Sequence, residues 1–188
     1  MLEIRPADAG DVAAVLGLFD RAVEWLVARG QTGQWGDQPW TGDPDRTALI
    51  ERLTAAGGAR VAVLDDRIVG SISLGKAPDY VPPATVSELY VEALVTDRAH
   101  KGRGIGSALL QQARDEALAA GVTQLRVDCW AGANGALIRY YEREGFTRDT
   151  EFVVADHPRG PWHGQVLVQP LRPENPSPRS PISARDGR

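Results

Sequence analysis

One segment, LVTDRAHKGRGIGSALL at residues 94–110, restricts what this chain can fold into more than any other. An apolar stretch runs into a charged turn, and Gly102, Gly104 and Gly106 then lead into residues spaced for a helix. Glycine tolerates positive φ and lets a ligand touch the main chain, while a helix start offers free N–H groups at the positive end of its dipole. Strand, glycine turn and helix start together make a seat for a phosphate group, and Lys101 and Arg103 add charge there. Spacing removes two common seats. A P-loop needs Gly-Lys-Ser or Gly-Lys-Thr at its end, whereas Gly106 is followed by Ser107 and Ala108. A dinucleotide fingerprint needs glycine or alanine where this chain has Ser107 or Leu109.

The remainder of the chain reads as alternating elements. A short strand at Leu2–Ile4 precedes a helix capped by Asp8 or Asp11 that runs through Leu26 and closes at Gly30. A loop from Gln31 to Asp45 leads to a second helix at Thr47–Ala56. Arg60–Leu64 and Ile68–Leu74 form a hairpin turning at Asp65-Asp66. The proline-bearing stretch Lys76–Thr85 is a loop. Glu88–Thr96 alternates, with Leu89, Val91, Ala93 and Val95 on one face and Glu88, Tyr90, Glu92 and Leu94 on the other. A helix at Gly104–Ala120, a strand at Gln124–Trp130, a helix at Asn134–Glu144 and strands at Phe146–Val154 and Gln165–Leu171 follow. The order βααβββαβαββ predicts an α/β fold, one mixed sheet with helices on both faces, in a single domain over residues 1–171. Residues 172–188, rich in Pro, Ser and Arg, have little to bury and are expected to be disordered.

Composition excludes several classes of function. The formal charge is -4, and the arginines of the last segment leave the remainder more acidic still, which argues against nucleic acid as a partner and for a positively charged small one. Cys129 is the one cysteine, so no internal disulfide exists. The three histidines have no metal-ligand spacing, so no metal is expected. No stretch reaches the ~18 apolar residues of a membrane span, and no signal-peptide core opens the chain, so a cytoplasmic protein without membrane partners is expected.

A basic residue followed by x-x-Gly-x-Gly after a strand, here Lys101, Gly104 and Gly106, resembles the pyrophosphate-binding signature of the GNAT superfamily of N-acetyltransferases, in its bacterial, small-molecule type. The family usually carries arginine or glutamine at the position of Lys101, and lysine supplies a point charge without a fork. NGALIRYYEREGF resembles the family's later helix, in which an asparagine and a tyrosine flank the CoA arm. On a helix running from Asn134, Tyr141 falls on the same face seven residues on, at about 100° per residue, and Tyr140 points away. The resemblance implies a GNAT fold in which the strand ending near Val95 and the strand ending near Cys129 splay apart around the pantetheine of acetyl-CoA. It implies cofactor contacts at Leu94 and Val95 through the main chain, at Lys101, Gly102, Arg103, Gly104, Ile105, Gly106 and Ser107 around the diphosphate, and at Asn134. A main-chain N–H at Leu94 or Val95 would also meet the oxyanion. Tyr141 is implied as the acid that protonates the departing thiolate, since a phenol of pKa about 10 stays protonated at neutral pH.

The acceptor amine must lose a proton before it attacks. Glu92 is the first candidate for the base, directly or through water, and Glu88 the second. Trp25 and Trp35 lie in the region that covers the acceptor cleft in this family, and aromatic walls beside carboxylates suit a cationic amine. The expected reaction is direct attack of a small amine on acetyl-CoA in a ternary complex. The rival is a CoA-binding sensor without catalysis. Homodimers are common among proteins that resemble this one.

Overall fold

The computed structural model describes residues 1–171; the expectation for residues 172–188 falls outside them. The elements, in order, are β1 (Leu2–Pro6), α1 (Val12–Val27), α2 (Pro44–Ala55), β2 (Ala59–Leu64), β3 (Arg67–Gly75), β4 (Glu88–Thr96), α3 (Ile105–Ala119), β5 (Gln124–Trp130), α4 (Ala136–Arg143), β6 (Thr147–Val154) and β7 (Trp162–Pro170). The strands form one mixed sheet in the order β1-β2-β3-β4-β5-β7-β6. Within it β4 and β5 are parallel and the other neighbours antiparallel. The expected α/β architecture is therefore present, with the expected element order.

Local chemistry explains most boundaries. Asp43 accepts from the N–H groups of Asp45 and Arg46, and Pro44 opens α2. Asp65 and Asp66 both take positive φ, 51° and 59°, giving the tight turn whose twist suits the β2–β3 hairpin. Helices α1 and α2 cover one sheet face, where Phe19 stacks on Trp40 with ring centroids 4.0 Å apart. Helix α3 covers the other face with its stripe of Ile105, Leu109, Ala113 and Ala117, all buried. It lies close to the sheet because β3 has Gly70 beneath it: a Cβ there would sit 2.8 Å from Ile105 Cγ2.

Three expectations change. Strand β7 starts at Trp162, so Trp162 and His163 belong to it rather than preceding it. Helix α4 starts at Ala136; Asn134 precedes it with φ 58°, in a turn rather than on the helix. The alternation in β4 is broken: Ser73 pairs with Ala93 and Leu74 with Val91, leaving Glu92 as an extra residue in a bulge. Leu89, Val91 and Leu94 accordingly pack toward α3, while Ala93 and Val95 pack toward α1.

Candidate active site

The sheet opens where its parallel pair ends. Strands β4 and β5 pair from Glu88↔Gln124 to Val91↔Val127 and no further, although both continue. Beyond that point lies a cleft of about 630 Å³, lined on one side by Glu92–Thr96 and on the other by Asp128 and Cys129. Toward β3, Asp97 N–H donates to Val69 at 2.8 Å. By the two-residue alternation of a strand, the main-chain groups of Thr96 and Leu94 then face the open side and those of Val95 face β3. The main-chain contact expected at both Leu94 and Val95 is thus available at Leu94, with Thr96 as its companion.

One end of the cleft is the start of α3. Gly104 takes φ 72° at its N-cap and no side chain caps the helix, so its first amides are free. Lys101, Gly102, Gly104, Ile105, Gly106 and Ser107 line this end, joined by His100 and Arg143. Gly106 is needed for space: a Cβ would lie 2.3 Å from the Tyr140 hydroxyl. Tyr140, expected to point away, therefore lines the cleft too. Ser107 Oγ donates to Glu144 at 2.7 Å, which ties α3 to the end of α4. Arg103 does not line the cleft; it borders a separate hollow with Met1, Leu2 and Asp65. Asn134 is exposed and also outside the lining, because the turn before α4 carries it off the helix face that holds Tyr141.

Tyr141 reaches the cleft from beneath. It is buried, packed edge-on to Phe146 at 5.6 Å, and burial first, then Cys129, Tyr140 and Asp128, hold its phenol well above the ordinary value. It is held as a neutral phenol, not an anion. Cys129 is pushed up to about 12, mainly by burial, so it is a neutral thiol rather than a nucleophile.

The other end carries carboxylates. Glu92 is raised above the ordinary carboxylate range by burial, against the opposing pull of Arg52 and the Lys76 amide. Its carboxylate lies over Gly75, where a Cβ would meet Oε1 at 1.9 Å, and Arg52 stands 3.9 Å away. Asp128, which sequence reasoning missed, is also raised by burial, and it accepts a hydrogen bond from the Tyr90 hydroxyl. Glu88, the second candidate base, is not in the cleft. It pairs with the buried Arg126 at 2.8 Å and accepts from Gln124. Trp25 and Trp35 both line the cleft. Trp25 has the guanidinium groups of Arg29 and Arg98 over its ring at 4.0 and 4.3 Å, and Trp35 packs edge-on to Phe19 at 5.0 Å. The loop bearing Trp35 is fastened to the sheet. Trp130 N–H donates to Gln34 Oε1 at 2.7 Å and Trp162 Nε1 donates to the Gly33 carbonyl at 2.8 Å. Among the described residues no group of three His, Cys, Asp or Glu could hold a metal ion, and no helix is long and apolar enough to cross a membrane.

The cleft thus lies where two parallel strands part, beside an uncapped glycine helix start. The Acetyltransferase (GNAT) family matches residues 19–146, more than half the chain, and the chain belongs to that family. It is an acetyltransferase by that membership. No curated protein matches in sequence. Among solved structures it is similar to one from Salmonella typhimurium that holds its cofactor acetyl-CoA, at TM-score 0.65 and 24% identity, covering 96% of this chain and 99% of that one. It is similar to a ribosomal-protein-alanine N-acetyltransferase from Brucella melitensis at TM-score 0.66 and 22% identity, covering 90% and 99%. It is also similar to an agmatine N-acetyltransferase at TM-score 0.64 and 16% identity, covering 90% and 99%. At these identities the likenesses show the fold.

Proposed function

We propose that this enzyme binds acetyl-CoA along the split and transfers its acetyl group to a small cationic amine by direct attack in a ternary complex. The observation that carries the reading is the coincidence of three features: pairing that stops at Val91 and Val127, free amides at the start of α3, and Tyr141 at the opening. The diphosphate would rest on the amides from Ile105 to Ser107, with Lys101 and Arg143 adding charge. The pantetheine would run along the open edge of β4 at Leu94 and Thr96, as a strand-like partner for main-chain groups left without β5.

Acetyl-CoA supplies an activated thioester. The residues of the chain align it, keep Tyr141 protonated for the leaving sulfur, and present carboxylates to the incoming amine. The charge runs in the sense this needs, with Lys101 and Arg143 at the phosphate end and Glu92 and Asp128 at the other. The proteins it resembles in fold act on acceptors as different as agmatine and a ribosomal-protein alanine, so the acceptor is read from this cleft and not from them. Trp35, which lines the cleft together with Glu92 and Asp128, favours a cation with an apolar portion, whereas the Trp25 ring already carries Arg29 and Arg98. The test is incubation with acetyl-CoA and an amine panel, following free thiol and the mass of acetylated product. Tight acetyl-CoA binding with no thiol released on any amine would instead indicate a CoA-binding sensor.

A further inference from the structure

Two carboxylates stand at the place where β4 and β5 part, and they are not equivalent. Val91↔Val127 is the last pair, so Glu92 and Asp128 are the first residues past it on the two walls. Glu92, in its bulge, leans over Gly75 on β3 with Arg52 of α2 3.9 Å from its carboxylate, at the margin of the cleft that it lines. Asp128 stays on the wall. The Tyr90 hydroxyl donates to its Oδ1, and no other side chain among the described residues hydrogen-bonds to it. Tyr90 is fully buried, so this donor is fixed.

The alternation of β5 adds the decisive geometry. Leu125, Val127 and Cys129 pack in the α3 and α4 layer with Tyr141, which places Asp128 on the opposite face. A thioester lying between the strands would have Tyr141 on one side and Asp128 on the other. We infer that Asp128 is the base that takes the proton of the attacking amine, that Tyr90 is the residue positioning it, and that Glu92 attracts the cationic acceptor. This deepens the acetyl-transfer reading and rests on it.

The step balances. The ammonium gives one proton to Asp128, its freed lone pair forms the N–C bond, and the C–S bond breaks as the tetrahedral adduct collapses. The sulfur leaves with the electron pair and takes the Tyr141 proton. The second nitrogen proton restores Tyr141 through solvent, and Asp128 returns its proton to water. The products are the N-acetyl amine, CoA thiol and one proton. Burial raises Asp128 above the ordinary carboxylate range, while Tyr90, its own main chain and Arg126 oppose the rise. The other titratable groups around it are Tyr80 from the β3–β4 loop, Glu92, Cys129 and Tyr141, and β7 sets Val166 opposite it.

The experiment compares wild type, Asp128→Asn, Tyr90→Phe and Glu92→Gln, using agmatine and benzylamine as acceptors, with kcat/KM as a function of pH and acetyl-CoA affinity by calorimetry. Asp128→Asn should lose about 100-fold or more in kcat/KM and lose the acidic limb, with acetyl-CoA affinity unchanged. Tyr90→Phe removes a bond that favours the carboxylate, so its folded pKa rises and the acidic limb moves to higher pH. Glu92→Gln should raise KM for agmatine and leave the limb in place. If Asp128→Asn retains wild-type kcat/KM with an unmoved limb, the inference is wrong and the acetyl-transfer reading survives. If wild type binds acetyl-CoA yet acetylates neither amine nor any of the panel, both fall. Should Asp128→Asn fail to fold, Tyr90→Phe decides: an unmoved limb overturns the assignment.

Discussion

The two ends of the cleft are built on different principles. The phosphate end comes mainly from one stretch, residues 100–107 without Arg103, joined by Arg143 of α4, and works mainly through main-chain amides and glycine conformations. The acceptor end gathers Gln34 and Trp35 from the loop after α1, Glu92 from β4 and Asp128 from β5, and works through side chains. The first should tolerate changes of side chain and fail when backbone geometry changes. The second should respond to single atoms of a carboxylate or an amide.

Substitutions at four positions test that contrast. Gly104→Val places a β-branched residue at φ 72° where the first amides of α3 open, and the strain must be relieved by moving them. Acetyl-CoA affinity should fall by about 100-fold, the order of one lost diphosphate seat, with a folded circular-dichroism spectrum. Retained affinity would remove the phosphate assignment. Tyr141→Phe should lower kcat by roughly 100-fold and leave the acetyl-CoA Kd within twofold, because the ring still packs on Phe146. Parallel loss of kcat and affinity would make Tyr141 a packing residue.

Glu88→Gln separates a scaffold acid from a cleft acid. It leaves Arg126, 3% exposed, without its counter-charge, and should cost about 3 kcal/mol by urea unfolding with the amine KM unchanged. A raised KM at unaltered stability would return Glu88 to the acceptor site. The mildest change is Gln34→Ala, which removes the cap on Trp130 N–H and loosens the acceptor loop by about 1 kcal/mol. Amine KM should rise several-fold while acetyl-CoA Kd does not move. A change confined to acetyl-CoA would show that the loop serves the donor instead.

The same contrast explains what could be read from the chain alone. Element order and helix faces were legible because they depend on local periodicity: the Ile105, Leu109, Ala113, Ala117 stripe is buried as spaced. The phosphate end was legible because most of its residues are consecutive. The acceptor end was not, because it depends on which strands are neighbours. Asp128 sits at a polar position of an alternating strand, and becomes a half-buried carboxylate in the cleft because β5 lies between β4 and β7. The signal available was the pair Arg126 and Asp128 inside an otherwise apolar run. Glu88 misled for the matching reason, since Arg126 on the neighbouring strand could not be seen to neutralise it. Asn134 misled because a helix was extended through a residue that adopts positive φ.

The supernumerary residue in β4 makes Glu92 a spacer as well as an acid. The two halves of that strand are out of phase by one position, so that Val91 serves the α3 layer while Ala93 and Val95 serve the α1 layer. Excising Glu92 would leave Val91 and Ala93 as neighbours that alternate to the same two layers they face now, so the strand would lose its bulge and its acid while its apolar side chains keep their layers. Replacing it with glutamine would change charge alone, so the difference between those two variants measures how much of the position's worth is length.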